Sequence, residues 1–260
     1  MPWTGRLQVG DLLRRWRERR RLSQLDLAMR ATVSTRHLSF LETGRSQPSR
    51  EMVLHLAEQL DLPLRERNDL LLAAGYAPVY RQTALDSPPM AAVRDAVRQM
   101  LAAQEPYPAL LVDREWNMLH ANAGVALLTD GAAPALLDPP VNMLRLALHP
   151  DGLAPRIANL AAWRSHLLGR LRRRIEATGA AALTELYTEL RGYSDGDTDP
   201  GSGPADEPAV PLRLRTRGGE LVLLCAVSTF GTPMDVTVAE LAVEHFFPAD
   251  QRTAAVLRNR

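Results

Sequence analysis

Residues 22–44 read Leu22-Ser23-Gln24-Leu25-Asp26-Leu27-Ala28-Met29-Arg30-Ala31-Thr32-Val33-Ser34-Thr35-Arg36-His37-Leu38-Ser39-Phe40-Leu41-Glu42-Thr43-Gly44. Ser23 and Ser34 each stand one residue ahead of a helical pattern, where a hydroxyl accepts from the unpaired N–H groups of a first turn. The spacing predicts a helix from Gln24 to about Arg30 with Leu25 and Ala28 inward. It predicts another over Thr35–Thr43, stopped by Gly44. Only Ala31-Thr32-Val33 joins them. Two short helices on so short a connection cross steeply, and one of them stays exposed.

Leu38 and Leu41 are three apart and point into a core. Thr35, Arg36, Ser39 and Phe40 then face outward. A helix presenting hydroxyl and guanidinium groups fits the DNA major groove, about 12 Å wide. Arg36 can pair bidentately with guanine, and the Phe40 ring or the Thr35 methyl can touch a thymine methyl. Ser34 and Gln24 stand at helix starts, where the Gln24 amide and the backbone N–H groups can meet a phosphate or a base edge. Arg14, Arg15, Arg45 and Arg50 complete the candidate DNA-binding set as phosphate contacts. The plainer alternatives are Phe40 packing on a neighbouring helix, His37 as a solvated or capping residue, and Arg19–Arg21 as a solvated face.

Further helices are expected over Val9–Arg20, from Pro48-Ser49 to about Leu60, and over Leu64–Ala74, closed by Gly75. The chain has 260 residues and a net charge of +1, and all 31 basic residues are arginine. Residues 1–50 hold 11 arginines against Asp11, Glu18, Asp26 and Glu42, an excess of seven positive charges, so the remainder carries −6. A basic N-terminal segment on a near-neutral chain points to an anionic partner, nucleic acid first.

At these residues the sequence resembles the XRE (lambda-repressor-like) helix-turn-helix family over roughly 9–75. The order Gln24, Ala28, Ser34, Leu38, Leu41, Glu42, Gly44 carries the resemblance. It implies an all-α five-helix domain whose third helix reads DNA, and an ion pair between Arg17 and Glu42. It also implies glycine in the turn, where this chain has Thr32. A β-branched residue at positive φ costs on the order of 1 kcal/mol or more.

Beyond this, residues 76–88, with Pro78 and Pro88, read as a linker. Pro89 begins a helix reaching about Gln104. Ala109–Val112 and Trp116–Ala121 form a hairpin around Asp113-Arg114-Glu115. Asn122–Leu128, Val141–His149, Ile157–Ala177 and Ala181–Leu190 are helical. Gly192–Pro208 reads as a loop. Leu212–Arg217 and Glu220–Val227 make a hairpin turning on Gly218-Gly219, and Val236–Phe246 is a bulged strand. The expected layout is a helix-turn-helix domain over 1–77, a linker and connecting helix over 78–104, and an α+β domain over 105–260. In the latter, a small antiparallel sheet carries helices over one face and encloses an apolar space.

Candidate ligand-binding groups beside that space are Asn117, Asn122, Asn142, Arg145 and His149. Arg145 and His149 are four apart on one helix face and can hold a carboxylate. Otherwise Arg145 pairs with an acid and His149 caps the helix before Pro150. The stretches Pro108–Asn122, Asn142–Pro150 and Glu244–Asp250 resemble the ligand-binding domain of MmyB-like transcription regulators. That resemblance implies a PAS-like fold and a fatty-acid-like ligand, hence a ligand-responsive regulator of double-stranded DNA. One helix-turn-helix covers only a half-site, so a homodimer is expected, and the single cysteine and the lack of a secretory apolar run point to the cytoplasm. The competing expectation is a ligand-independent regulator whose C-terminal domain dimerises or binds a protein.

No enzyme is expected. The chain lacks Walker and GxGxxG loops and paired His or Cys metal spacings. The one cysteine, Cys225, falls in an apolar strand and reads as inert. No cofactor or metal is implied beyond a bound fatty acid as effector, and no apolar run reaches the length needed to span a bilayer.

Overall fold

Five helices build the N-terminal unit: α1 (Val9–Arg19), α2 (Gln24–Arg30), α3 (Thr35–Glu42), α4 (Arg50–Gln59) and α5 (Leu64–Ala73). The computed structural model describes residues 8–193 and 209–259. Each helix sends one apolar stripe inward, so that Leu13, Leu27, Leu38, Leu41, Leu56 and Leu70 are fully buried in one cluster. Burying a leucine contributes roughly 1.5–3 kcal/mol. Serines cap three of the helices: Ser23, Ser34 and Ser49 accept from the backbone N–H of Asp26, His37 and Met52.

All five helices end alike. In α1–α5 the residue after the C-cap takes a left-handed conformation: Arg21 (φ 55°), Thr32 (φ 53°), Gly44 (φ 70°), Asp61 (φ 49°) and Gly75 (φ 87°). The following N–H then reaches back to a carbonyl of the last turn, as from Val33 to Ala28 (3.0 Å), Arg45 to Phe40 (2.9 Å) and Leu62 to Ala57 (3.0 Å). This double-bonded ending satisfies carbonyls that the helix leaves open. Thr32 thus adopts the expected positive φ in place of glycine.

The described residues divide into two compact units. One holds the chain to Gln82 with Glu176–Thr178 and Met234–Ala239; the other holds the remainder. The second unit opens with a 3-10 turn, Pro88–Met90, and α6 (Ala91–Ala103). Its frame is one antiparallel sheet of β1 (Ala109–Val112), β2 (Met118–Ala121), β3 (Leu212–Thr216), β4 (Gly219–Thr229) and β5 (Ala242–Pro248). The strand order is β2-β1-β5-β4-β3, the α+β, PAS-like arrangement expected from the sequence. Its helices are α7 (Ala126–Thr129), α8 (Met143–Leu148), α9 (Leu160–Thr178) as far as Ile175, α10 (Ala181–Arg191) and α12 (Gln251–Arg258), whereas α11 (Val236–Glu240) falls with the first unit as far as Ala239.

Alternation along β1 and β5 sorts the apolar residues to two faces. Leu110, Val112 and Phe246 join the large core with Trp163, Leu167 and Leu171 of α9. Ala109, Leu111 and Val243 join a smaller cluster with Val97 and Leu101 of α6. Helices therefore cover both faces at β1, not one face as the sequence implied. The reason is visible in β1 itself: all four residues are buried, the pattern of a strand covered on both sides.

Four local expectations are corrected. Leu25 is exposed, and Leu27 takes the inward place beside Ala28. Val236–Phe246 is not one bulged strand but α11 followed by β5; the phase change at Leu241 marks a change of element. The Asp235 carboxylate accepts from the Thr237 N–H at 2.8 Å and turns the chain into that helix. The second hairpin turns on Arg217-Gly218, because Gly219 (φ 111°) already pairs with Thr216. Helix α9 starts at Leu160, since Pro155 lies in a 3-10 turn and Ile157 bridges to Leu214. The C-terminal helix α12, capped by Asp250, was not foreseen. Of the expected Gly192–Pro208 loop, residues 194–208 lie outside the described residues.

Candidate functional site

The capped pair α2–α3 is fixed at its start and its end. Ser23 and Asp26 form a reciprocal cap, with the Asp26 N–H donating to Ser23 Oγ (3.1 Å) and the Ser23 N–H to Asp26 Oδ2 (2.9 Å). Those bonds, the Ser23 hydroxyl first, hold the Asp26 carboxyl below its ordinary range. Ser34 spends its Oγ on the His37 N–H. Leu38 and Leu41 are fully buried, Thr35 and Arg36 exposed, and Ser39 and Phe40 half-buried. The Arg36 and Arg45 guanidiniums lie over the Phe40 ring, 5.3 and 5.9 Å from its centre. The α3 face thus carries one aromatic ring between two cations.

Behind that face, Arg17 of α1 forks onto Glu42 of α3. Nε donates to Oε1 at 2.6 Å and Nη2 to Oε2 at 2.9 Å, with Nη1 donating to the Leu22 carbonyl at 2.8 Å. The Glu42 side chain is 2% exposed, and its bond raises the Arg17 pKa further. Gln24 adds a third contact, its amide nitrogen donating to Glu42 Oε2 at 2.8 Å. That nitrogen is thus committed within the domain, which leaves the start of α2 to offer backbone N–H groups outward. Arg14, Arg15, Arg45 and Arg50 are exposed, with Arg14 paired to Glu18 at 2.8 Å.

The five polar residues singled out in the C-terminal unit are engaged with the chain itself. Asn117 donates to Asp113 and accepts from Asn142. Asn122 donates to the Leu101 and Tyr107 carbonyls and accepts from the Ala109 N–H. Asn142 caps α8, accepting from Leu144 and Arg145, and donates to the Glu115 carbonyl at 2.7 Å. Arg145 forks onto Glu189, both bonds 2.8 Å, and Tyr193 donates to the same carboxylate. His149 Nδ1 accepts from the Asp151 N–H, and its ring meets Tyr193 edge-on at 4.8 Å. The three asparagines tie loops and helix ends together, Arg145 and His149 meet at Tyr193, and none of the five lines the apolar space of this unit.

The apolar space lies elsewhere in this unit, between the sheet and helices α8 and α9. It is a cavity of about 30 Å³ lined by Met143, Leu146, Trp163, Leu167 and Phe246 among others, with Glu244 as its charged member. Glu244 is 6% exposed. Its Oε1 accepts from Arg170 Nη2 at 2.6 Å and from Trp116 Nε1 at 3.3 Å. Trp116 is itself at positive φ (62°), held by Asp113, whose Oδ1 accepts from the Glu115 and Asn117 N–H groups. Burial first, then the Glu244 charge, pushes the Cys225 thiol up to about 12, so it stays protonated.

Sequence reasoning passed over Glu244, Arg170 and Trp116. A signal was present: in Ala242-Val243-Glu244-His245-Phe246 a carboxylate shares the inward phase with Phe246. Among the described residues, no cluster of three or more His, Cys, Asp or Glu is placed to hold a metal, and no helix is long and apolar enough to cross a membrane.

Residues 8–70 match a helix-turn-helix domain. No curated protein matches the chain. Residues 93–259, more than half of the chain, match the MmyB-like transcription regulator ligand binding domain. With a helix-turn-helix domain ahead of that domain, the chain belongs to the MmyB-like transcription regulators, DNA-binding proteins with a ligand-binding C-terminal half.

Proposed function

We propose that this regulator reads DNA through Gln24, Ser34, Thr35, Arg36, Ser39 and Phe40 and grips phosphates through Arg14, Arg15, Arg45 and Arg50. Residues 1–77 form the reader, 78–104 the connection and 105–260 the sensor. The observation that carries the reading is the outer face of α3, where the Phe40 ring lies between the exposed Arg36 and Arg45. Guanidinium reads guanine, and a ring edge suits a thymine methyl. One such unit covers a half-site, so specific binding uses a cytoplasmic homodimer on an inverted repeat with half-sites about one helical turn apart. The protein acts as a regulator and not as an enzyme.

The C-terminal unit senses a small apolar effector, and the fatty acids implied by the family resemblance are the first series to try. An effector changes DNA affinity only through unequal affinity for two arrangements of the dimer. Binding is measured on promoter and random DNA at several salt concentrations. Arg36→Ala is expected to erode sequence preference, and Arg14→Ala to weaken both duplexes alike. Equal affinity of the wild type for the two duplexes at physiological salt defeats the reader. Absence of any thermal shift or change in DNA affinity across medium- and long-chain acyl compounds defeats the sensor and favours a C-terminal half that only dimerises or binds a protein.

A further inference from the structure

The N-terminal unit carries an open groove of about 400 Å³, and none of the residues proposed to meet DNA lines it. Its walls come from α5, from segment 78–82 and from Val236 at the start of α11, all within one compact unit. The walls are fixed by hydrogen bonds to the backbone. Asn68 Oδ1 accepts from the Val79 and Tyr80 N–H groups, each at 3.1 Å, and Nδ2 donates to the Tyr80 carbonyl at 2.7 Å. The Val236 N–H donates to the Arg81 carbonyl at 2.8 Å and brings α11 alongside. Leu72 lines the groove 52% exposed and Val79 39% exposed. Met234, next to the bridge between Arg81 and Asp235, is 79% exposed. One exposed apolar side chain is ordinary; three grouped at a recess mark a contact surface.

We propose that a second copy of this chain docks here, with Met234 of each copy entering the groove of the other across a two-fold axis. A two-fold contact must complement itself. This surface does so in shape, because an unbranched, adaptable side chain stands beside a recess. It does so in charge, because the recess holds both signs, Arg65 and Arg81 against Asp69. The Arg81 guanidinium is exposed and pairs with no acid among the described residues. A copy related by the two-fold axis brings its own Asp69 to that cation. A uniformly acidic or uniformly basic partner meets a like charge at one of the two. A standard interface buries about 800 Å² per copy. Leu72, Val79 and Met234 fall short of that, so the contact is weak and concentration-dependent, and two half-sites on one duplex complete it by holding the copies together.

The inference rests on the homodimer reading above and names its contact. The full-length protein is studied by sedimentation velocity over a range of concentrations, free and with promoter DNA. Met234→Glu and Leu72→Glu are the test variants, and their melting temperatures check the fold. Phe247→Glu is the control, because Phe247 and its cross-strand partner Leu224 form the exposed apolar pair of the sheet. The wild type is expected to dimerise as its concentration rises and to load two copies on the duplex. Each groove variant is expected to need about tenfold or more protein for the same dimer fraction, with an unchanged melting temperature. Phe247→Glu is expected to dimerise like the wild type. A dimer that survives both groove variants, or that only Phe247→Glu dissolves, overturns the docking site and leaves the homodimer standing. A wild type that stays monomeric both free and on DNA overturns both.

Discussion

Arg17 and Glu42, twenty-five residues apart, meet through two parallel hydrogen bonds of 2.6 and 2.9 Å that lock the middle of α1 to the end of α3. Gln24 brings α2 to the same carboxylate. Three helices thus share one buried anion, and the orientation of α3 depends on it. Glu42→Ala leaves the buried Arg17 guanidinium with only the exposed Glu18 carboxylate, at 3.8 Å, and the expected loss is about 3 kcal/mol in denaturant unfolding. Replacing both partners with apolar residues of similar volume should cost far less. Equal losses in the single and double variants would show that packing, not charge, holds α1 against α3.

Thr32→Gly should stabilise the N-terminal unit by about 1 kcal/mol, because the left-handed conformation that ends α2 strains a β-branched residue. Urea midpoints of the two proteins measure it. A lower midpoint for the glycine variant would mean that the gain in backbone freedom of the unfolded chain outweighs the relief.

Gly10→Ala tests the crossing of α1 on α3. A Cβ at Gly10 would stand 2.5 Å from the Leu41 carbonyl oxygen and 2.7 Å from that of Glu42. Backbone cannot swing aside as a side chain does. The expected loss is about 1–3 kcal/mol, with DNA binding weakened as α3 is displaced. Unchanged stability would show that the two helices separate freely.

Asn142 and Arg145 are neighbours with unlike roles. Asn142 is 5% exposed, caps α8 and donates to a loop carbonyl, so Asn142→Ala should cost about 2 kcal/mol or more. The Arg145–Glu189 pair is over a third exposed on both sides, so Arg145→Ala should cost under about 1 kcal/mol. If Arg145 instead holds a ligand carboxylate, its variant loses affinity for octanoate while the fold is unchanged.

The Asp26 carboxyl is held below its ordinary range in the folded chain by the Ser23 hydroxyl and N–H. A depressed folded pKa gives stability that is present above the unfolded pKa and lost as pH falls through the folded one. The melting temperature of the N-terminal unit should therefore decline as pH drops from about 5 toward 3. Asp26→Asn should flatten that decline, and an identical slope in both proteins would remove the cap from the explanation.

The N-terminal helices were legible because their signals are local. Ser23, Ser34 and Ser49 announce helix starts, and Gly44 and Gly75 announce ends. The endings at Arg21 and Thr32 have no such mark, whereas Asp61 is of a type that takes the left-handed conformation more readily than most. In the C-terminal unit the hairpins are readable from alternation and the MmyB-like stretches, but at α11 Val236 and Val238 alternate over too few residues to separate strand from helix. The candidate ligand residues are polar side chains on apolar elements. Residues of that kind serve just as often to satisfy backbone groups, which is what Asn122 and Asn142 do. Glu244, Arg170 and Trp116 come together only through contacts of 74 and 128 residues' separation, and no local pattern carries such distances.

Strand β5 has two readers. On one side Glu244 and Phe246 wall the cavity; on the other Val243 lies in the cluster built on Val97 and Leu101 of α6. A packed strand is stiff, so a displacement imposed by an occupant on one side is imposed on its opposite neighbour too. That neighbour is the first long helix the chain enters after leaving the N-terminal reader. The wall of the chamber and the seat of α6 are therefore two sides of one strand, and neither can be repacked without the other.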